Sequence, residues 1–179
     1  NISWGSDDAN PTSGGGLGDR AVGFRFSSAG DNVDAENSFG QNLTLRSDGQ
    51  TVQYAFDGKT LVGYIGANLA SGTRIFEVTL SDANDGSYTF KLLGNLDHPA
   101  GSGANIVNLT FSYTATDGDG DTSSSVVTVT VRDDVPEIGA PVASTLTEDT
   151  TGAAGAETFV SQTALNKSLN INWGADDNN

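Results

Sequence analysis

An all-β fold, an antiparallel β-sandwich, is what this sequence predicts, and three observations carry that reading. Apolar and polar residues alternate at period two through most of the chain, in runs bounded by Gly, Asn and Asp. The acidic residues are 18 Asp against 5 Glu, and Asp favours turns and cation sites where Glu favours helices. Helical periodicity is nearly absent: 153–165 is the one stretch that could hold a short helix.

Taken in order, the strands are as follows. Residues 21–27 place Val22, Phe24 and Phe26 on one face, and 42–46 form a short candidate. Residues 50–56 align Val52, Tyr54 and Phe56, and 60–65 form another short strand. Residues 74–80 turn Phe76, Val78 and Leu80 inward with Glu77 and Thr79 outward, and 87–92 offer Tyr88, Phe90 and Leu92. Residues 106–115 set Val107, Leu109, Phe111 and Tyr113 opposite Asn108, Thr110 and Ser112. Residues 123–132 set Val127, Val129 and Val131 opposite Thr128, Thr130 and Arg132, and shorter candidates follow at 142–147 and 168–173. Strands with one apolar and one polar face build sheets wet on one side, and two such sheets bury their apolar faces together. Spacing of roughly 8–12 residues between strands fits a sandwich.

Composition excludes several functions. The formal net charge is −15, so nucleic acid and anionic lipid, both polyanions, would be repelled. Cys is absent, which removes disulfides, thiolate chemistry and Cys-based metal sites. A single His, His98, leaves little for a zinc site or a triad, and no nucleophile or second base is nominated beside it; a structural role in a turn is the expectation, and no enzyme activity is expected. No apolar run approaches the roughly 20 residues of a membrane span, so no direct membrane insertion is expected. No signal peptide is visible, and the opening residues read as the middle of a longer protein.

An internal repeat supplies context. Asn1-Ile-Ser-Trp-Gly-Ser-Asp-Asp-Ala-Asn10 returns as Asn170-Ile-Asn-Trp-Gly-Ala-Asp-Asp-Asn-Asn179, identical at 7 of 10 positions. A window slightly longer than one period of a tandem array explains this; two edge strands of one domain that happen to look alike would be the plain alternative. Alternation stops at Asp133-Asp-Val-Pro136. Residues 1–136 are therefore read as one sandwich module, and 137–179 as a connector with strands that complete it or begin the next repeat. A shared end sequence also permits self-association by strand exchange.

Thr116-Asp117-Gly-Asp119-Gly-Asp121-Thr122 is the most informative segment. Three carboxylates at alternate positions repel one another unless a cation sits among them, and the intervening glycines let the loop close tightly. Hard oxygen ligands of this kind suit Ca²⁺, which takes 6–8 oxygens at about 2.3–2.6 Å. An EF-hand is rejected, because Thr122 stands where Gly is needed and Thr128 where the bidentate Glu should be. A solvated acidic turn is the bland alternative. Asp133-Asp134 lies one strand away, about 33 Å, too far to share an ion within a module. Glu148-Asp149, Asp7-Asp8 and Asp176-Asp177 are further acidic pairs where ions could stiffen a junction, or ordinary turn residues. Gly15-Gly-Leu-Gly-Asp19 is one residue short of the calcium-binding β-helix repeat and occurs once, so it is read as a loop. Trp4 and Trp173 could stack on sugars, which would make this a carbohydrate- or surface-binding module, yet each is in phase with a core face.

The run Gly86-Ser-Tyr-Thr-Phe-Lys-Leu-Leu-Gly-Asn-Leu-Asp-His-Pro99, then 105–114, Asp117-Gly-Asp-Gly-Asp121 and Asp133-Asp-Val-Pro136, resembles the tandem repeat domain of giant RTX-type or Lap-type bacterial adhesins exported by type I secretion. Leu45-Arg-Ser-Asp-Gly-Gln-Thr-Val-Gln-Tyr54, Leu61-Val-Gly-Tyr64 and Val78-Thr-Leu80 extend the resemblance over about 40–136. It implies a cadherin-like or immunoglobulin-like sandwich at the bacterial cell surface, a spacer between the outer membrane and a ligand-binding tip. It also implies neighbouring repeats as partners and calcium at their junctions, nominating Asp117, Asp119, Asp121, Asp133 and Asp134, with Glu148 and Asp149.

Overall fold

A computed structural model describes residues 2–6, 8–11, 18–57, 59–99, 105–143 and 168–172. The chain divides into two compact units, Asn1–Asp133 and Asp134–Asn179. The expected short helix at 153–165 lies outside the described residues, as does most of the strand expected at 142–147.

Among the described residues of the first unit, ten strands follow one another: β1 (Ala21–Phe24), β2 (Val33–Asn37), β3 (Arg46–Ser47), β4 (Gln50–Thr51), β5 (Gln53–Asp57), β6 (Thr60–Ile65), β7 (Thr73–Ser81), β8 (Ser87–Leu92), β9 (Ile106–Thr116) and β10 (Thr122–Arg132). One sheet is centred on β9, which pairs antiparallel with β10 along its whole length and with β1 and β2 on its other side. The other sheet is the meander β5–β6–β7–β8, and β3–β4 is a separate hairpin. Among its described residues the first unit is all-β, with one 3-10 turn at Gly30–Asn32, and every strand pairing is antiparallel.

The two sheets meet through the residues that alternation turns inward. Phe111, Leu109 and Val107 from β9 join Phe76 and Val78 from β7 and Leu61 from β6 in one core, all fully buried. Phe76 meets Phe111 edge-on with centroids 5.8 Å apart and stacks on Phe90 at 5.7 Å. On the outer face of β9–β10 the polar set pairs across strands: Thr110 with Thr128, Thr114 with Ser124, and Thr130 Oγ1 donating to Asn108 Oδ1, each at 2.8 Å.

Among the described residues alternation fails at Phe56, which the pattern aligns with Val52 and Tyr54 and which is exposed although its ring lies 5.5 Å from that of Phe24, and at three further places, each for a local reason. Phe26 is exposed because the chain leaves the sheet after Phe24, and Phe26 N turns to Asn32 Oδ1. Tyr88 and Leu92 are exposed because β8 is an edge strand, whose partner on one side is β7. Ile75 is buried beside Phe76, out of phase, because the register slips where Gly63 pairs with Phe76 and Tyr64 with Arg74. Such a bulge turns two successive residues toward one face. The strand expected at 42–46 is reduced to a bridge from Asn42 to Glu36, followed by β3.

In the second unit, β11 (Glu137–Ile138) pairs antiparallel with β12 (Ile171–Asn172). Val142 N donating to Ser168 O prolongs that contact.

A candidate metal centre

The loop 117–121 closes the β9–β10 hairpin. Asp117 follows the last residue of β9 and Asp121 precedes the first of β10, so both are carried by strands whose register is fixed through the core. Asp117 N donates to Asp121 O (3.0 Å) and Gly120 N to Asp117 O (3.2 Å). Asp117 Oδ1 also accepts from Asp121 N at 2.8 Å and from Gly120 N at 3.2 Å. Gly120 takes φ 102°, which a side chain would resist, and this lets Asp119 and Asp121 turn back toward Asp117.

One carboxylate oxygen from each of Asp117, Asp119 and Asp121 lies within 4.8 Å of the others. Oxygens sharing one calcium at about 2.4 Å stand at most about twice that distance apart, so the three fit one calcium ion and supply three of its 6–8 ligands. The electrostatics point the same way. Asp119 is held above the usual carboxylate range, chiefly by a side-chain hydrogen bond with Asp117, and Asp117 is held below it, chiefly by the same bond and then by backbone N–H donors. Two carboxyl groups that close favour sharing a proton over carrying two negative charges, and a divalent cation would relieve the same repulsion.

The other nominated residues fall elsewhere. Asp133 is at the opposite end of β9–β10: its N donates to Asn105 O (2.8 Å), and its Oδ1 faces His98 Nδ1 at 3.6 Å. His98 Nε2 is 3.4 Å from Val131 O, so the imidazole ties the 96–99 segment to the end of β10. Asp134 is exposed and opens the second unit. Asp8 comes to the end of the unit that carries the 117–121 loop. Its carbonyl accepts from Arg20 Nη1, and Gly18, two residues before Arg20, donates its N–H to Gly118 O. Asp7, Glu148, Asp149, Asp176, Asp177 and Trp173 lie outside the described residues.

Trp4 is buried, with Nε1 donating to Asn84 O at 3.0 Å and the Arg20 guanidinium 4.9 Å from its ring centre. Sequence reading placed Trp4 in a core and singled out neither Arg20 nor Asn84, since a contact spanning so much chain has no local pattern. It also passed over Asp82, whose Oδ2 is buried without a hydrogen-bond partner among the described residues. Among those residues no helix is long and apolar enough to cross a membrane.

No curated protein and no solved structure matches the chain. The model of one family, a domain of unknown function (DUF5801), matches residues 13–130, most of the strand-bearing unit together with the aspartate loop, and the chain belongs to that family.

Proposed function

We propose that this chain is a structural extender module of an extracellular bacterial adhesin, stiffened by calcium, with neighbouring repeats of the same protein as its partners. The observation that carries this reading is the convergence of Asp117, Asp119 and Asp121 on one point at the tip of a long hairpin. Resemblance of 40–136 to the repeats of type I-secreted adhesins supports it, as does an acidic, cysteine-free composition. In that setting the sandwich is cadherin-like or immunoglobulin-like.

Physically, a chain of net charge −15 resists compaction while its carboxylates lack counter-ions, which suits export in an extended state from a calcium-poor interior. Outside, calcium at about 100 times Kd adds roughly 2.7 kcal/mol per site to the folded state. Typical domain stability is only about 5–15 kcal/mol, so one or two sites change the folded population greatly.

The test is thermal unfolding with millimolar calcium and with EDTA, beside calorimetric titration of the same protein. The expected result is a calcium-dependent rise of several degrees that Asp117→Asn together with Asp121→Asn abolishes. A melting temperature indifferent to calcium, with no heat of binding, would sink the reading.

A further inference from the structure

β10 lies at the edge of its sheet, and nothing in its sequence guards that edge. Among the described residues its one strand partner is β9, in an uninterrupted register over all 11 residues. Proteins usually protect such an edge with charges, proline, a bulge or a short strand. Residues 122–131 are Thr, Ser and Val alone, and the register holds no bulge.

The hydrogen bonds at the two ends of the hairpin fix which backbone groups are left over. Asp117 N donates to Asp121 O at one end, and Asp133 N to Asn105 O at the other. Odd-numbered residues of β10 therefore bond to β9, while Ser124, Val126, Thr128 and Thr130 turn their N–H and C=O outward. Among the described residues no backbone group meets these outward ones.

The side chains along the edge are incompletely covered as well. Val127, Val129 and Val131 pack toward the core but are only partly buried, whereas Val107, Leu109 and Phe111 beside them on β9 are fully buried. Val126, on the outer face, is 54% exposed. β8, the edge of the other sheet, lies on the same side of the sandwich, because β1 and β5 meet on the opposite side through Phe24 and Phe56. Its Tyr88 and Leu92 are exposed. One flank of the sandwich is thus a bare strand edge with apolar margins.

We infer that this flank pairs with the same flank of a second copy of this chain, β10 against β10 in antiparallel alignment. Length selects the partner. The other edge strands of the described unit, β1, β2, β5 and β8, hold 4–6 residues, and β9, the other strand of 11, is taken on both sides. Among the described strands β10 alone matches this edge from end to end. Charge selects it again, since two copies of net charge −15 approach with least repulsion along a neutral strip. Charge also sets the direction. Parallel pairing would place the 117–121 loops side by side, three carboxylates against three. Antiparallel pairing brings that loop to Arg132 of the other copy, where Asp133 already faces His98. Full overlap sets Val126 opposite Thr128 and Ser124 opposite Thr130, the second a Ser–Thr pair like the one β10 makes with Thr114. The alignment is twofold symmetric, so it closes as a dimer. An edge about 37 Å long and about 10 Å deep covers roughly 400 Å² per copy, about half of a standard interface, so a single pair of modules associates weakly.

The experiment follows the full chain in millimolar calcium by sedimentation velocity over a range of concentration, with amide hydrogen exchange at the two ends of that range. A concentration-dependent dimer is expected, in which the Val126 and Thr128 amides exchange freely when dilute and are protected when concentrated. Val126→Lys/Thr128→Lys sets like charges opposite one another across the twofold axis and should weaken association by about tenfold or more, although it lowers the net charge. Val126→Glu/Thr128→Glu should do the same, and an equal mixture of the two variants should recover association. Both positions are exposed in the single copy, and recovery in the mixture shows that both variants fold. A chain monomeric at millimolar concentration, dimers indifferent to the lysines, or a mixture that stays monomeric overturns the inference. So do outward amides protected at the lowest concentration, because the edge is then covered within one copy. No arm reads metal binding, so failure here leaves the calcium reading in place.

Discussion

At the scale of single residues, the chemistry is concentrated in a carboxyl pair and one phenol. Asp119 holds its proton to higher pH than it would in the unfolded chain, because the hydrogen bond to Asp117 stabilises the protonated form. Without metal, its contribution to stability therefore declines as pH rises from the unfolded value through the raised folded one. Asp117 has the opposite sign: its contribution is present above the unfolded value and is lost as pH falls through the depressed folded one. Calcium competes with the proton on Asp119, so its affinity should fall as pH is lowered from neutrality into the range where that carboxyl protonates. Asp119→Asn should leave the melting temperature in EDTA unchanged or higher, since it removes a like charge, and should cut the calcium-induced rise by more than half. Calorimetric titration at neutral pH and at acid pH, with thermal unfolding in EDTA and in calcium, each with and without the substitution, checks both expectations. Tyr54 provides an alkaline counterpart. Burial of the phenol, with Asp34 nearby, pushes its pKa up to about 12 from 10.0. Stability that is fully present below pH 10 should drain away as pH rises toward 12, by up to about 2–3 kcal/mol. Urea unfolding at pH 9 and near pH 12 should show this loss, and Tyr54→Phe should flatten it.

At the scale of elements, the bulge between β6 and β7 decides how the two sheets fit. Gly63 sits opposite Phe76, and a Cβ at Gly63 would overlap the Phe76 ring, which itself packs against Phe90 and Phe111. The ring is fully buried and has nowhere to retreat. Gly63→Ala is therefore expected to cost about 1–3 kcal/mol by overpacking, and Phe111→Ala about 3–5 kcal/mol by leaving a cavity. Chemical denaturation of the two variants checks both, with an unchanged m-value as the sign that the fold persists. The long strands were legible because alternation reports burial directly: Val107, Leu109 and Phe111 are core, and Asn108, Thr110 and Thr128 face out as their positions in the pattern require. Ile75 was not legible, since its burial depends on a register slip against another strand. The aspartate spacing exposed the 117–121 loop because its residues are sequence neighbours. His98 with Asp133, and Trp4 with Asn84, went unread as pairs because their partners are joined only by the fold.

At the scale of the whole molecule, the question is whether 134–179 belongs to the sandwich. β11 and β12 pair with each other, and no described strand of 134–179 enters either four-stranded sheet. Contacts divide the chain at Asp133, where His98 and Asn105 already fasten the end of β10 from within the first unit. The hydrophobic core is also drawn wholly from residues before that point. The 1–133 unit should consequently fold without the remainder. A chain ending at Pro136 is expected to melt cooperatively within about 2–3 °C of the full chain, and to keep the same calcium-induced rise, since Asp117, Asp119 and Asp121 all remain. His98→Ala in that shortened chain should lower the melting temperature, because the imidazole then no longer fixes the 96–99 segment to Val131 and Asp133. Differential scanning calorimetry of the three proteins decides it. A large fall on truncation alone would mean that residues beyond 136 complete the sandwich, and an unaltered melt would make the Asp133 boundary a true domain edge.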